Sequence, residues 1–177
     1  MNLIFTCGGT AGHINPAIAI ANEMRRRDPN CKVLFIGAVG HMEEKLVPQA
    51  GYELKTLPGS GLSRKLNAQG IRQNAHAVKC VLDAVKECKR IFREFQPDVI
   101  IGTGGYASFP ALKMGAKLGI PTCVHESNAV PGLTTKLVAR TASRIMVSFD
   151  ASRQHYPDPE KVLLTGTPVR EEFLYAK

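Results

Sequence analysis

A chain of 177 residues fits one domain, or one domain with an extension, and is long enough to bury a substantial core. Its 44% hydrophobic and 21% charged residues are those of a soluble globular protein, and no run approaches the roughly twenty apolar residues that a membrane-spanning helix needs. The net charge of +8 calls for an anionic partner, whether nucleic acid, acidic lipid headgroups or a phosphorylated substrate, but aromatics at 6% with no Trp leave little for stacking on bases. Five cysteines without a C-x-x-C pair read as reduced, buried thiols. The first residues lack a basic n-region and a cleavage site, so a cytoplasmic location is expected.

The first apolar run, Leu3 to Cys7, reads as a buried strand, and Asn15-Pro16 reads as the cap and first position of a helix that runs to Arg27. Between them lies Gly8-Gly9-Thr10-Ala11-Gly12-His13. Glycines there let backbone N–H groups approach a ligand, and a helix N-terminus adds partial positive charge, so the turn suits phosphate. His13 at its lip has a side chain suited to proton transfer near neutral pH. The dinucleotide fingerprint is absent: the spacing is G-G-x-x-G, and the second strand, Cys31 to Ile36, ends in Gly37-Ala38 with no acid placed for a ribose. A helix from Met42 to Gln49 and a short strand from Glu53 to Leu57 continue a strand-turn-helix rhythm that predicts a parallel sheet with helices on both faces.

Pro58 to Leu66 breaks that rhythm as a loop, and a long helix follows to Phe95, with Ile71, Val78, Leu82, Val85, Phe92 and Phe95 as its expected core stripe. Eight Lys or Arg against three acids between Arg64 and Phe95 supply five of the eight net positive charges. That face is either solvated surface or, with Leu62 and Leu66 beside Arg64 and Lys65, a seat for an anionic bilayer. A fourth strand, Pro97 to Gly102, leads into a second glycine turn, Thr103-Gly104-Gly105-Tyr106-Ala107-Ser108-Phe109-Pro110, which opens a helix through Leu118.

The fifth strand, Thr122 to His125, runs into Glu126-Ser127-Asn128, costly polar groups to desolvate at a strand end. They either face a ligand cleft or hold a loop together. A helix from Leu133 to Arg140, a strand from Arg144 to Val147, a polar turn region from Asp150 to Glu160 and a last strand from Val162 to Leu164 complete the domain. Asp158-Pro159-Glu160 is a poor metal motif and reads as a turn. Gly166-Thr167-Pro168-Val169-Arg170 follows, its guanidinium suited to a phosphate. A short helix is expected up to Lys177.

Together, Gly8 to His13, Thr103 to Ser108, His125 to Asn128 and Gly166 to Arg170 closely resemble the MurG family in order and spacing. These bacterial transferases move N-acetylglucosamine from UDP-N-acetylglucosamine onto lipid I, the undecaprenyl-diphosphate-linked muramyl pentapeptide, to make lipid II for peptidoglycan. The resemblance implies the N-terminal, acceptor-binding half of a GT-B enzyme, two Rossmann-like domains facing a cleft. Residues 1–165 would form that domain and 166–177 would begin the interdomain segment. The donor-binding domain would be absent and the fragment inactive alone.

Carried over by position, Thr10, Ala11, Gly12, Asn128 and Arg170 are the expected donor contacts. Gly9, Gly104, Gly105, Tyr106, Ser108 and His125 are the expected acceptor and diphosphate positions. His13 is the first candidate for the base that deprotonates the C4 hydroxyl of the muramyl sugar in an inverting displacement, and Glu126 the second. No metal or cofactor is implied, since the chain has no D-x-D motif and helix ends can steady the leaving diphosphate. The implied partners are the two substrates and the anionic cytoplasmic leaflet of the cell membrane, met through Leu62, Arg64, Lys65, Leu66 and the basic helix. Four positions depart from the family pattern: Ala11 and Phe109 stand for glycines, Ser127 for a glutamine and Thr167 for an asparagine. The alternative is the membrane- or partner-binding half of a split glycosyltransferase without activity of its own.

Overall fold

The structure, a computed structural model, describes residues 1–58 and 68–170, with backbone alone for residues 68–77. The apolar runs of the described residues become seven strands: β1 (Asn2–Thr6), β2 (Lys32–Ala38), β3 (Glu53–Leu57), β4 (Val99–Gly102), β5 (Thr122–Glu126), β6 (Arg144–Val147) and β7 (Val162–Leu164). They pair in parallel in the order β3-β2-β1-β4-β5-β6-β7. Parallel neighbours need crossovers, supplied by α1 (Ala11–Arg27), α2 (Glu43–Gln49), α3 (Ala68–Phe95), α4 (Ser108–Lys117) and α5 (Leu133–Val138). The order steps outward in opposite directions from β1 and from β4, so right-handed crossovers place α1 and α2 on one face and α3, α4 and α5 on the other.

Alternation along the strands builds one core on each face. Leu3, Phe5, Phe35 and Ile101 pack with Ile14, Ala17, Ile18 and Val47 from α1 and α2. Ile4, Leu34, Ile36, Ile100 and Ile145 pack with Ala84, Cys88, Ile91, Leu112 and Val138 from the other helices. Phe5 and Phe35 lie opposite each other in register, fully buried, with ring centroids 5.3 Å apart. Truncating either to Ala would cost about 3–5 kcal/mol. Between β1 and β4 the strand order reverses, and α/β sheets take ligands at the carboxyl ends of the strands beside such a reversal.

Three local expectations change. Helix α1 begins at Ala11, so Asn15 and Pro16 lie inside it, and the N-cap is Thr10 with extended backbone (φ −140°, ψ 154°) and no side-chain cap bond. Proline at position 16 forgoes one bond, to the carbonyl of Gly12, a modest loss near a helix start. On α3 the buried side is Cys80, Ala84, Cys88, Ile91 and Phe92, whereas Val78 and Leu82 are more than half exposed. Phe92 is buried as expected and Val85 and Phe95 pack against the same core; among the described side chains only Val78 and Leu82 leave the stripe, their places taken by the smaller Cys80 and Ala84. The region from Asp150 to Glu160 holds two short 3-10 helices, Asp150–His155 and Pro159–Lys161, and Asp158 caps the second by accepting from the Glu160 amide at 3.2 Å. Residues Arg64, Lys65, Leu62 and Leu66, and the expected helix up to Lys177, lie outside the described residues.

Candidate active site

The turns that follow β1, β4, β5 and β7 lie along the same carboxyl edge, and contacts link them in a continuous chain. The Cα of Gly105 rests on the Gly8 peptide so closely that a Cβ there would fall well inside van der Waals contact with the Gly8 carbonyl, and its φ of +87° also favours glycine. The Thr134 hydroxyl reaches the Gly105 carbonyl at 3.3 Å, Gly132 donates to Glu126 at 2.9 Å, and His125 meets the Gly166 carbonyl at 3.0 Å. All four sequence motifs therefore meet at one rim.

His13 occupies the first turn of α1, half-buried between the two glycine turns. Its Nδ1 lies 3.0 Å from the Gly8 carbonyl. A carbonyl only accepts, so Nδ1 carries the proton and the neutral ring keeps its lone pair on Nε2. Gly104 (φ +113°) passes under the ring: a Cβ there would lie 2.7 Å from Cδ2 and 2.9 Å from Nε2. The Thr103 hydroxyl donates to the His13 carbonyl at 2.6 Å and ties the helix start to the second turn. A basic nitrogen on a fixed ring, at a rim built from backbone, is fit to take a proton from a substrate hydroxyl.

Glu126 is held differently from a base. It is 5% exposed, and its carboxylate accepts four hydrogen bonds: the Asn128 amide at 3.0 Å and side chain at 2.7 Å on Oε1, the Gly132 amide at 2.9 Å and the Thr135 hydroxyl at 2.8 Å on Oε2. Burial raises its pKa, but these bonds outweigh burial and hold it below the usual carboxylate value. Such a group is a poor proton acceptor, and it instead shapes the loop that carries Asn128. The second candidate base is thus a loop brace.

His125 is fully buried, and its Nε2–H donates to Gly166, which has φ +73°. Burial keeps its pKa below the ordinary value, so it is a neutral clasp between β5 and the segment leading to Arg170 rather than a wall of a diphosphate pocket. Ser108 is likewise fully buried, with its hydroxyl between the carbonyls of Thr6 (2.9 Å) and Gly104 (2.7 Å), tying the second turn to the end of β1. Tyr106 is half-buried and packs against the apolar core, as does Phe109. Asn128 and Thr10 are exposed on the rim, Ala11 and Arg170 are half-buried, and Gly12 is exposed.

The Gly9 amide, expected to meet a phosphate, already donates to Oε2 of Glu43 at 3.0 Å. Oε1 of the same carboxylate accepts from the Ala38 amide at 2.9 Å, and Glu43 is fully buried. The first turn therefore presents the amides at the start of α1, not that of Gly9, to an anion. Sequence reasoning missed Glu43, Thr103 and Thr135. A usable signal for Glu43 was the pair Gly8 and Gly37 at the ends of adjacent strands: a Cβ at either would collide with the Glu43 side chain.

Residues 3–147 match the sequence profile of the glycosyltransferase family 28 N-terminal domain. Among curated proteins, the chain is 44% identical over 174 residues to the UDP-N-acetylglucosamine--N-acetylmuramyl-(pentapeptide) pyrophosphoryl-undecaprenol N-acetylglucosamine transferase of Thermoanaerobacter sp., covering 98% of this chain and 47% of the relative. It is 46% identical over 171 residues to the Flavobacterium psychrophilum protein of the same name, covering 97% and 45%. The chain thus spans about half the length of the curated relatives it matches. Among solved structures, Acinetobacter baumannii MurG superposes with a TM-score of 0.76 at 28% identity, over 94% of this chain and 46% of that one. The UDP-GlcNAc 2-epimerase of Methanocaldococcus jannaschii does so at 0.68, over 94% and 46%, but at 12% identity this likeness is one of fold alone.

Proposed function

The chain belongs to glycosyltransferase family 28, carrying its N-terminal domain, the Rossmann-like half of a GT-B fold, and from that premise we propose that it is the acceptor-binding half of a transferase that makes lipid II. Residues 1–165 form the acceptor domain, and 166–177 begin the passage to a donor-binding domain. The completed enzyme moves N-acetylglucosamine from UDP-N-acetylglucosamine to the C4 hydroxyl of the muramyl sugar of lipid I. The relatives' names support both substrates.

The observation that carries the reading is the state of His13: with Nδ1 committed to Gly8, its Nε2 is the proton acceptor between the two glycine turns. Nε2 takes the C4 proton as the hydroxyl oxygen attacks the anomeric carbon, and the bond to UDP breaks with inversion. Glu126 fixes Asn128 on the rim, and His125 fixes Gly166 four residues before Arg170, so buried partners hold one donor contact and the segment that leads to the other. Amides at the start of α1 and the second glycine turn would steady phosphate oxygens.

The enzyme works at the cytoplasmic face of the cell membrane as a peripheral protein. Among the described residues no helix is long and apolar enough to cross a membrane. Exposed Val78 and Leu82 beside Lys79, Lys86 and Lys89 on α3 support contact with an anionic leaflet, alongside Leu62, Arg64, Lys65 and Leu66. The test is transfer from radiolabelled UDP-N-acetylglucosamine to a lipid I analogue by the chain joined to a family donor domain. His13→Ala is expected to lower kcat by about a hundredfold or more. Near-normal turnover of that variant would remove His13 as the base.

A further inference from the structure

We infer that Glu43 is a positioning residue for His13 and acts on it through the Gly8–Gly9 peptide. The inference rests on His13 being the base, and reaches a residue on a different helix. One peptide unit is gripped from both sides: its N–H, that of Gly9, donates to Oε2 of Glu43 at 3.0 Å, and its carbonyl, that of Gly8, accepts from Nδ1–H of His13 at 3.0 Å. Carboxylate, peptide and imidazole thus stand in series. The carboxylate polarises the peptide so that its oxygen becomes a stronger acceptor, and hydrogen bonds in such a chain reinforce one another. This fixes the tautomer and the plane of the ring, and it places a negative charge where the imidazolium needs one.

The rest of the surroundings serves the same arrangement. The Ala38 amide holds the other carboxylate oxygen at 2.9 Å, and Gly8 and Gly37 lack the Cβ atoms that would exclude the side chain. Among the described residues no Lys or Arg forms an ion pair with Glu43, so its charge is not cancelled locally. Cys7, buried beside it, has its thiol pKa pushed up by burial and by that charge, and stays protonated. The second turn meets the ring through Gly104, and its titratable side chain, Tyr106, packs against the apolar core. During the reaction the proton of the C4 hydroxyl passes to Nε2, the new glycosidic bond forms and the bond to UDP breaks. Nδ1 keeps its proton, and the Gly9 amide keeps its bond to Glu43 throughout.

The experiment is a nitrogen-15 titration of the histidines in the 177-residue chain. In the unaltered protein neutral His13 is expected as the Nδ1–H tautomer. In Glu43→Gln its pKa is expected to fall by half a unit or more, a loss of about threefold in proton affinity, with Glu43→Asp recovering part of the difference. An Nε2–H tautomer in the unaltered chain overturns the inference, as does an unchanged His13 titration in a folded Gln variant. If the Gln variant does not fold, the tautomer and the Asp variant decide. If the tautomer and the shift are found while His13→Ala turns over normally in the completed enzyme, the relay stands and the base assignment falls.

Discussion

Replacing Glu126 with Gln separates a loop brace from a proton acceptor. The carboxylate receives four hydrogen bonds of 2.7–3.0 Å, two on each oxygen, all from donors. A carboxamide supplies one acceptor oxygen and turns its NH2 toward two of those donors, so about half the bonds are lost in a buried site. At about 1.5–3 kcal/mol for each bond to a charged group, the variant should be about 3–5 kcal/mol less stable and melt about 10 °C lower. Urea and thermal denaturation of the chain measure this. Because the pKa of Glu126 is lowered in the fold, its contribution is present above the ordinary carboxylate value and is lost as pH falls toward the folded value; the Gln variant should show a flatter acid limb. Turnover of the completed enzyme, assayed well below the melting point, should stay within about tenfold, against the hundredfold or more that removal of a base costs. Unchanged melting combined with a hundredfold loss of turnover would refute this assignment.

Other outcomes follow from the same rim. His125 is held below its ordinary pKa of about 6.5 by burial, so its contribution to stability is present above that pH and drains away as pH falls below it; denaturation midpoints between pH 7 and 5 should show a slope that His125→Asn reduces. Gly105→Ala forces a side chain at φ +87° against the Gly8 peptide and should cost about 2 kcal/mol or more, read by chemical denaturation, with the His13 ring signals displaced because the two turns no longer nest. In vesicle flotation, the chain should be recovered with anionic liposomes and lost from them when Lys79, Lys86 and Lys89 are changed to Gln; equal recovery from neutral vesicles would count against the basic face.

Much of the architecture is legible in the chain because both faces of a parallel sheet are covered, which makes each strand a short apolar run. Glu53 to Leu57, Arg144 to Val147 and Val162 to Leu164 are found at those boundaries. Ends decided by backbone geometry are less legible. Thr10 caps α1 through its extended backbone and not its side chain, so Asn15-Pro16 gives the stronger signal for a helix start that lies five residues earlier. The rim position of His13, Glu126 and Asn128 follows from strand ends, but their division of labour does not. Whether a carboxylate at a strand end accepts four bonds or faces a ligand depends on Gly132 and Thr135, which come from the next loop and helix. Glu43 was hard to find because its hydrogen-bond partners are two backbone amides, and the only trace in side-chain identity is the missing Cβ at Gly8 and Gly37.

The nesting of Gly105 on the Gly8 peptide divides this rim into fixed points and free variables for anyone redesigning it. A Cβ at Gly105 would press on the Gly8 peptide, one at Gly104 on the His13 ring and one at Gly8 on the Glu43 carboxylate, so variation has to enter at Thr10 and Asn128, both exposed on the rim. A library confined to those positions would vary the proposed donor contacts on an intact scaffold, whereas one that includes the glycines would mostly sample strained, destabilised proteins.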